Sequence, residues 1–125
     1  MHGPTNLPDP VDGVYRLTAV IELKPEKEQL YRELHTDVWP DVVEAIKTSN
    51  IRNYSISLAR IAGKSYLFSY MEYTGDDIER DFAAMANDPV TRDQWWPITD
   101  ACQRVIEGTP EGAKWLPLER LMLIE

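Results

Sequence analysis

The chain has 125 residues, which suits one domain and leaves little room for a second. Its 43% apolar content, with four Trp and six Tyr, supplies a single globular core and excludes a disordered chain. The formal net charge of -8, from 13 basic and 21 acidic residues, argues against a nucleic-acid partner, whose phosphates call for clustered Lys and Arg. It leaves a neutral ligand open.

Residues 1–12, rich in Pro, Gly and Asp, read as a flexible arm preceding a single domain over 13–125. The arm lacks both the basic start and the apolar run of a secretory signal. No stretch approaches the roughly 20 apolar residues of a membrane helix. Cys102, the single cysteine, has no partner for an internal disulfide and suits a reducing compartment. These features point to a cytoplasmic protein without a membrane partner.

From Val14 to Leu23 the sequence alternates, with Tyr15, Leu17, Ala19, Ile21 and Leu23 on one face and Arg16, Thr18 and Glu22 on the other. That is a half-buried strand. Pro25 then opens a helix, since a missing N–H costs nothing in the first turn. Tyr31 and His35, four apart, share one face of it. Pro40 cannot continue the helix and pushes Trp39 towards extended backbone. A second helix runs from Pro40 to about Thr48, buried through Val42, Val43 and Ile46. The break leaves His35 near a helix C-terminus, where the dipole favours a protonated imidazole.

Two strands follow, Arg52 to Arg60 and Ser65 to Tyr73, joined by Ala62-Gly63-Lys64 as a hairpin. The first carries Tyr54, Ile56 and Leu58 on one face and Asn53, Ser55 and Ser57 on the other. Asp76 is placed to cap a helix with Ile78, Phe82 and Met85 at helical spacing. Asp88 caps the next helix, with Pro89 at its first position. Pro97 should kink that helix, while Ile98, Ala101, Cys102 and Val105 extend its apolar stripe. Gly108 to Lys114 is a loop, and Leu118 to Ile124 a last strand. The order βαββαβ is α+β and ferredoxin-like, with helices on one face of an antiparallel sheet. The uncovered sheet face would line a ligand pocket or pack on another subunit.

Several chemistries lack their residues. Two histidines, His2 and His35, and one cysteine make no zinc-type ligand set. Neither a dinucleotide fingerprint, a P-loop nor a Gly-x-Ser-x-Gly elbow occurs. What remains is aromatic and polar: Tyr31, His35, Trp39, Tyr54, Trp95 and Trp96, at element ends or on inner faces. Aromatic rings cover the C–H face of a sugar, and a histidine, with an unperturbed pKa of about 6.5, moves protons to and from oxygen. A lone histidine on a helix face is nonetheless more commonly structural. Trp39 resembles a packing plug at the helix break, and Tyr31 and Tyr54 would be ordinary core or rim. The Trp95–Trp96 pair is different: neighbours on a helix point about 100° apart, so both rings do not bury in one core. Asp93 and Asp100 read as solvated surface.

Taken together these residues resemble the L-rhamnose mutarotase family, of the dimeric α+β barrel superfamily. The carrying segments are Tyr31-x-x-x-His35-x-x-x-Trp39-Pro40, then Arg52-Asn53-Tyr54-Ser55-Ile56, then Gln94-Trp95-Trp96. They span nearly the whole chain, from Val14 to Ile124. The resemblance implies that His35 is the proton donor and that Tyr31, Tyr54, Trp95 and Trp96 contact the sugar. Trp39 joins the binding set, and Tyr31 positions the sugar or relays a proton. It further implies that the pyranose of L-rhamnose or another 6-deoxyhexose opens to an aldehyde and closes as the other anomer. No metal or cofactor is called for, the base is unassigned, and a homodimer is expected. Thr36-Asp37 stands where the family has Asn-Pro, which places a carboxylate beside His35 that would raise its pKa. Pro97 after the Trp pair and the Gly108–Lys114 loop with Trp115 are further departures. The competing readings are another enzyme on this fold, a cofactor-free monooxygenase or a haem-degrading type, and a sugar-binding module without chemistry.

Overall fold

A computed structural model describes residues 7–125; the first half of the expected arm, residues 1–6 with His2, lies outside the described residues. Val11 bridges Val14 across a turn at Asp12 and Gly13, which leads into strand β1, Tyr15–Leu23. A 3-10 turn at Pro25–Lys27 precedes helix α1, Glu28–Thr36. Helix α2, Pro40–Thr48, begins on the proline that ends its predecessor. Strands β2, Ile51–Ile61, and β3, Lys64–Tyr73, form the hairpin. Ala62 and Gly63 both take positive φ, the backbone of a two-residue turn matched to strand twist.

Helix α3 spans Ile78–Ala86. Its N-cap is Asp77, not Asp76: the Asp77 carboxylate accepts from the Arg80 N–H at 3.1 Å, while Asp76 pairs with the Arg80 guanidinium at 2.8 Å. Asp88 does cap the following helix, accepting from the Thr91 N–H and hydroxyl, both at 2.9 Å. That helix passes through a π-helical segment, Thr91–Trp95, into α4, Trp96–Cys102. Two short strands follow, β4 at Gln103–Arg104 and β5 at Leu116–Pro117.

The sheet order is β2-β3-β1-β4, with β5 also on β1, and every described pairing is antiparallel. This is the α+β, ferredoxin-like arrangement. The odd-numbered residues of β1 face the helices. Ile21, Leu23 and Leu67 bury against Tyr31 and Cys102, while Ile51 and Tyr73 bury against Ile78, Phe82 and Met85. Each such aliphatic side chain contributes about 1.5–3 kcal/mol on leaving water, which is what holds helices to this face.

Two expectations for the C-terminal third fail. The helical stripe stops at Cys102, because Gln103 and Arg104 pair with Leu23 and Glu22 as strand; Ala101 and Val105 are exposed. Leu118 to Ile124 forms no strand. Leu118 donates its N–H to the Thr18 carbonyl at 2.9 Å, and regular pairing ends there. Leu121, Met122 and Ile124 stay 90%, 73% and 80% exposed. The apolar residues are present, but they do not alternate with polar ones, and Leu121, Met122 and Ile124 are left uncovered among the described residues, so nothing enforces a register. The edge of β1 is filled by β4 and β5 instead. No helix among the described residues is long and apolar enough to cross a membrane.

Candidate functional site

Between the helices and the inner sheet face lies a cavity of about 980 Å³, near the upper end of the ~300–1,000 Å³ usual for small-molecule sites. The i, i+4 spacing on α1 stacks His35 on Tyr31, with ring centroids 4.1 Å apart and planes 23° from parallel. Tyr31 is the anchor, only 4% exposed. Its backbone carbonyl accepts from His35 Nδ1 at 2.8 Å. The edge of Trp95 meets the imidazole at 5.4 Å, and Trp39 meets Trp95 edge-on at 5.0 Å. These spacings are those of favourable aromatic pairs.

Each ring is delivered by a local irregularity. Trp39 takes extended backbone, φ -55° and ψ 133°, because Pro40 follows it. Pro97 has no N–H to donate into the preceding turn, and the Trp96 N–H reaches back five residues to the Thr91 carbonyl. The strain expected as a kink at Pro97 is thus taken up as a widened turn one step earlier. In that turn Trp95 is buried beside His35. Trp96, half-buried, packs against the Ile51–Tyr73–Phe82 cluster and lines the cavity further along. The two adjacent rings do diverge, as their spacing requires.

Tyr54 reaches the same cavity through a bulge in β2, where register shifts between Arg52 and Ser55. Asn53 carries the bulge with φ 50°, a left-handed conformation that asparagine tolerates better than most residues. Its Nδ2 donates to Glu72 Oε1 at 2.8 Å, and the Tyr70 hydroxyl donates to Glu72 Oε2 at 2.6 Å. Tyr54 leaves 38% of its surface exposed, but its hydroxyl end lies inside, where burial pushes its pKa up to about 12. Burial likewise holds the Tyr31 hydroxyl well above the usual tyrosine range, and the neighbouring Tyr54 phenol adds to the shift. Both phenols therefore stay protonated at neutral pH.

His35 moves the other way from the sequence expectation. Burial lowers its pKa, and the bond to the Tyr31 carbonyl only partly opposes that. Asp37 sits exposed beyond the helix end and is not among the causes. The imidazole is neutral at pH 7.

Three residues escaped sequence reasoning. Gln103, 7% exposed, donates from Nε2 to the Tyr31 hydroxyl at 3.5 Å. Asp100, expected on the surface, is half-buried and ion-paired with Lys114 at 2.9 Å on the cavity lining. Trp115 packs against the Ile21–Tyr31 cluster and lines the cavity as well. None belongs to a motif, and Gln103 was hidden inside what reads as a continuing helix. Asp93 is exposed and pairs with Arg92, as a surface residue should. Among the described residues no group of three or more His, Cys, Asp or Glu comes together as metal ligands. The site is a slot with aromatic walls, polar hydroxyl and amide groups at its floor and one titratable imidazole.

The sequence model of L-rhamnose mutarotases matches residues 16–122. An L-rhamnose mutarotase of Bacillus subtilis (strain 168) is 31% identical over 81 residues, covering 65% of this chain and 72% of that one. One from Formosa agariphila is 24% identical over 110 residues, 88% of this chain and 98% of that one. The crystal structure of an L-rhamnose mutarotase from Formosa agariphila superposes with a TM-score of 0.63 at 25% identity, covering 88% of this chain and 98% of that one.

Proposed function

The chain belongs to the L-rhamnose mutarotase family, and from that membership and the slot around His35 we propose how it works: it interconverts the α and β anomers of L-rhamnose or a related 6-deoxy sugar. The observation that carries the reading is the stack of His35 on Tyr31 inside an aromatic-walled cavity. A pyranose lays its C–H face on Trp95, with Trp39 behind that ring and Trp96 further along the wall. Its hydroxyls meet the protonated phenols of Tyr31 and Tyr54. His35 carries the proton to the ring oxygen; the ring opens, the aldehyde rotates, and closure gives the other anomer. Nothing is oxidised and no group leaves the sugar, so the residues at hand suffice.

The reading takes residues 13–125 as one catalytic domain in the cytoplasm, supported by the single buried thiol of Cys102. It also takes the enzyme as a homodimer. The support is the uncovered sheet face, with half-buried Tyr66, Phe68 and Tyr70, beside exposed Leu121, Met122 and Ile124. Sedimentation velocity should give twice the chain mass.

Saturation-transfer NMR on L-rhamnose and L-fucose reads anomer exchange directly. Exchange should be accelerated by the wild type and fall by about 10²–10⁴-fold with His35→Ala, the usual contribution of a positioned acid–base group. Circular dichroism must show the variant folded. Unaccelerated exchange of every 6-deoxy sugar tried would sink the reading.

A further inference from the structure

The hydrogen bond between His35 and the Tyr31 carbonyl has a chemical consequence. A carbonyl oxygen only accepts, so at 2.8 Å the ring nitrogen Nδ1 must carry the hydrogen. A neutral imidazole has one N–H. Nε2 is then a bare lone pair, and among the described residues no group hydrogen-bonds to it. The ring lines the cavity, stacked on Tyr31 and in edge contact with Trp95.

From this geometry we propose that His35 is also the missing general base: Nε2 first takes the anomeric hydroxyl proton and then delivers that same proton to the ring oxygen. The proposal rests on the mutarotase reading and deepens it. One nitrogen can serve both oxygens because both are bonded to the anomeric carbon. The balance closes without a second group. The hydroxyl O–H bond breaks, and its electron pair forms the carbonyl. The bond from the anomeric carbon to the ring oxygen breaks, and its pair stays on that oxygen. Nε2–H supplies the proton there, leaving an aldehyde and a neutral imidazole. Rotation about the adjacent carbon–carbon bond and the reverse sequence give the other anomer.

The surroundings agree. The other titratable groups lining the cavity are Tyr31 and Arg32 of α1, Arg16 of β1, Lys47 of α2, Arg52 and Tyr54 of β2, Asp100 of α4, Lys114 of the loop before β5 and Arg120 beyond it. None is among the causes of the His35 shift, which are burial and the Tyr31 carbonyl. Both phenols hold their protons too tightly to be ready donors. The Nδ1–H bond to a fixed backbone carbonyl keeps one tautomer through the cycle, so each turnover starts with a lone pair aimed at substrate.

Two measurements on the full chain test this. Nitrogen-15 NMR of the imidazoles, with His2 separated from His35 by a His35→Gln spectrum, should show Nδ1 protonated and Nε2 bare at pH 7. The kcat/KM for anomer exchange should fall only towards acid, through one ionisation below the ordinary histidine value, and stay flat above it. Tyr31→Phe should keep that profile shape with a loss near tenfold, against the 10²–10⁴-fold loss expected for His35→Gln. An Nε2–H tautomer or a charged ring at pH 7 would overturn the proposal. So would a rate that falls as pH rises through the histidine range, or a Tyr31→Phe loss as large as that of His35→Gln. A correct tautomer with no acceleration at any pH would instead mark failure of the mutarotase reading, and the base role would fall with it.

Discussion

The pairing of Gln103 with Tyr31 can be weighed by a thermodynamic cycle. Tyr31→Phe deletes a buried hydroxyl and leaves the Gln103 amide N–H without its acceptor. An orphaned buried donor costs about 1–3 kcal/mol. At 3.5 Å the bond is long, so the cost should sit at the low end, about 1 kcal/mol. Gln103→Leu removes the donor and leaves the hydroxyl beside an apolar group, at similar cost. The double variant removes both polar ends and should be no worse than either single one, which gives a coupling of about 1 kcal/mol. For a domain of this size that is a melting shift of about 4 °C.

Urea and thermal melts on four proteins suffice. The activity arm is separate: one neutral hydrogen bond to the sugar is worth about 0.5–1.5 kcal/mol, or about 2- to 13-fold in kcat/KM. Tyr31→Phe should lose that much, and the double variant no more. Strictly additive stability losses would refute the argument, showing Gln103 to be a neighbour of Tyr31 and not its partner.

Asn53→Ala keeps a β-carbon at φ 50° but loses the amide that eases this conformation and donates to Glu72, and should cost about 1 kcal/mol, while Asn53→Gly keeps the bulge; urea melts and the KM for sugar, which rises if Tyr54 is misaimed, both report it. Trp95→Ala should cost about 3–5 kcal/mol as a large buried truncation, and Trp95→Phe far less with a raised KM; intact KM in the phenylalanine variant would show that Trp95 is core and no sugar wall. The Asp81 carboxylate accepts from the Tyr73 hydroxyl, Asn50 and Arg80, which hold its pKa down at about 2 against an ordinary 3.8. Its folded pKa is depressed, so the stability it gives is present above about pH 3.8 and lost as pH falls towards 2; Asp81→Asn should flatten that limb of an acid-unfolding curve.

Most of the fold is legible because strand alternation and proline placement act locally. Pro40 sets both the end of α1 and the start of α2, and Asp88-Pro89 starts a helix where its cap requires. The failures are tertiary. Gln103 and Arg104 carry no strand signal of their own, and they become strand because the edge of β1 is open to them. Leu118 to Ile124 carries a strand signal, but nothing among the described residues covers it. At the site, the i, i+4 pairing of Tyr31 with His35 is readable, whereas the sign of the His35 shift is not. Sequence offers Asp37 and a helix end, both favouring charge. The cavity walls, which desolvate the ring and favour neutrality, come from helices and strands throughout the domain.

The placement of the two tryptophans links these local faults to chemistry. A regular α-helix through residues 28–48 could not offer Trp39 in extended backbone, and a regular one through residues 89–102 would turn Trp95 and Trp96 differently against the sheet. Proline is responsible in each case, once by ending a helix and once by denying a hydrogen bond to the turn before it. Widened helical turns of this kind are often found at functional sites. Here one irregularity brings Trp95 to the imidazole, and the other brings Trp39 against Trp95. The imidazole beside them is desolvated by burial, and a buried ring whose Nδ1 is tied to a carbonyl is a neutral base at pH 7. Pro97 is thus connected to His35 through Trp95, and Pro40 one ring further out through Trp39.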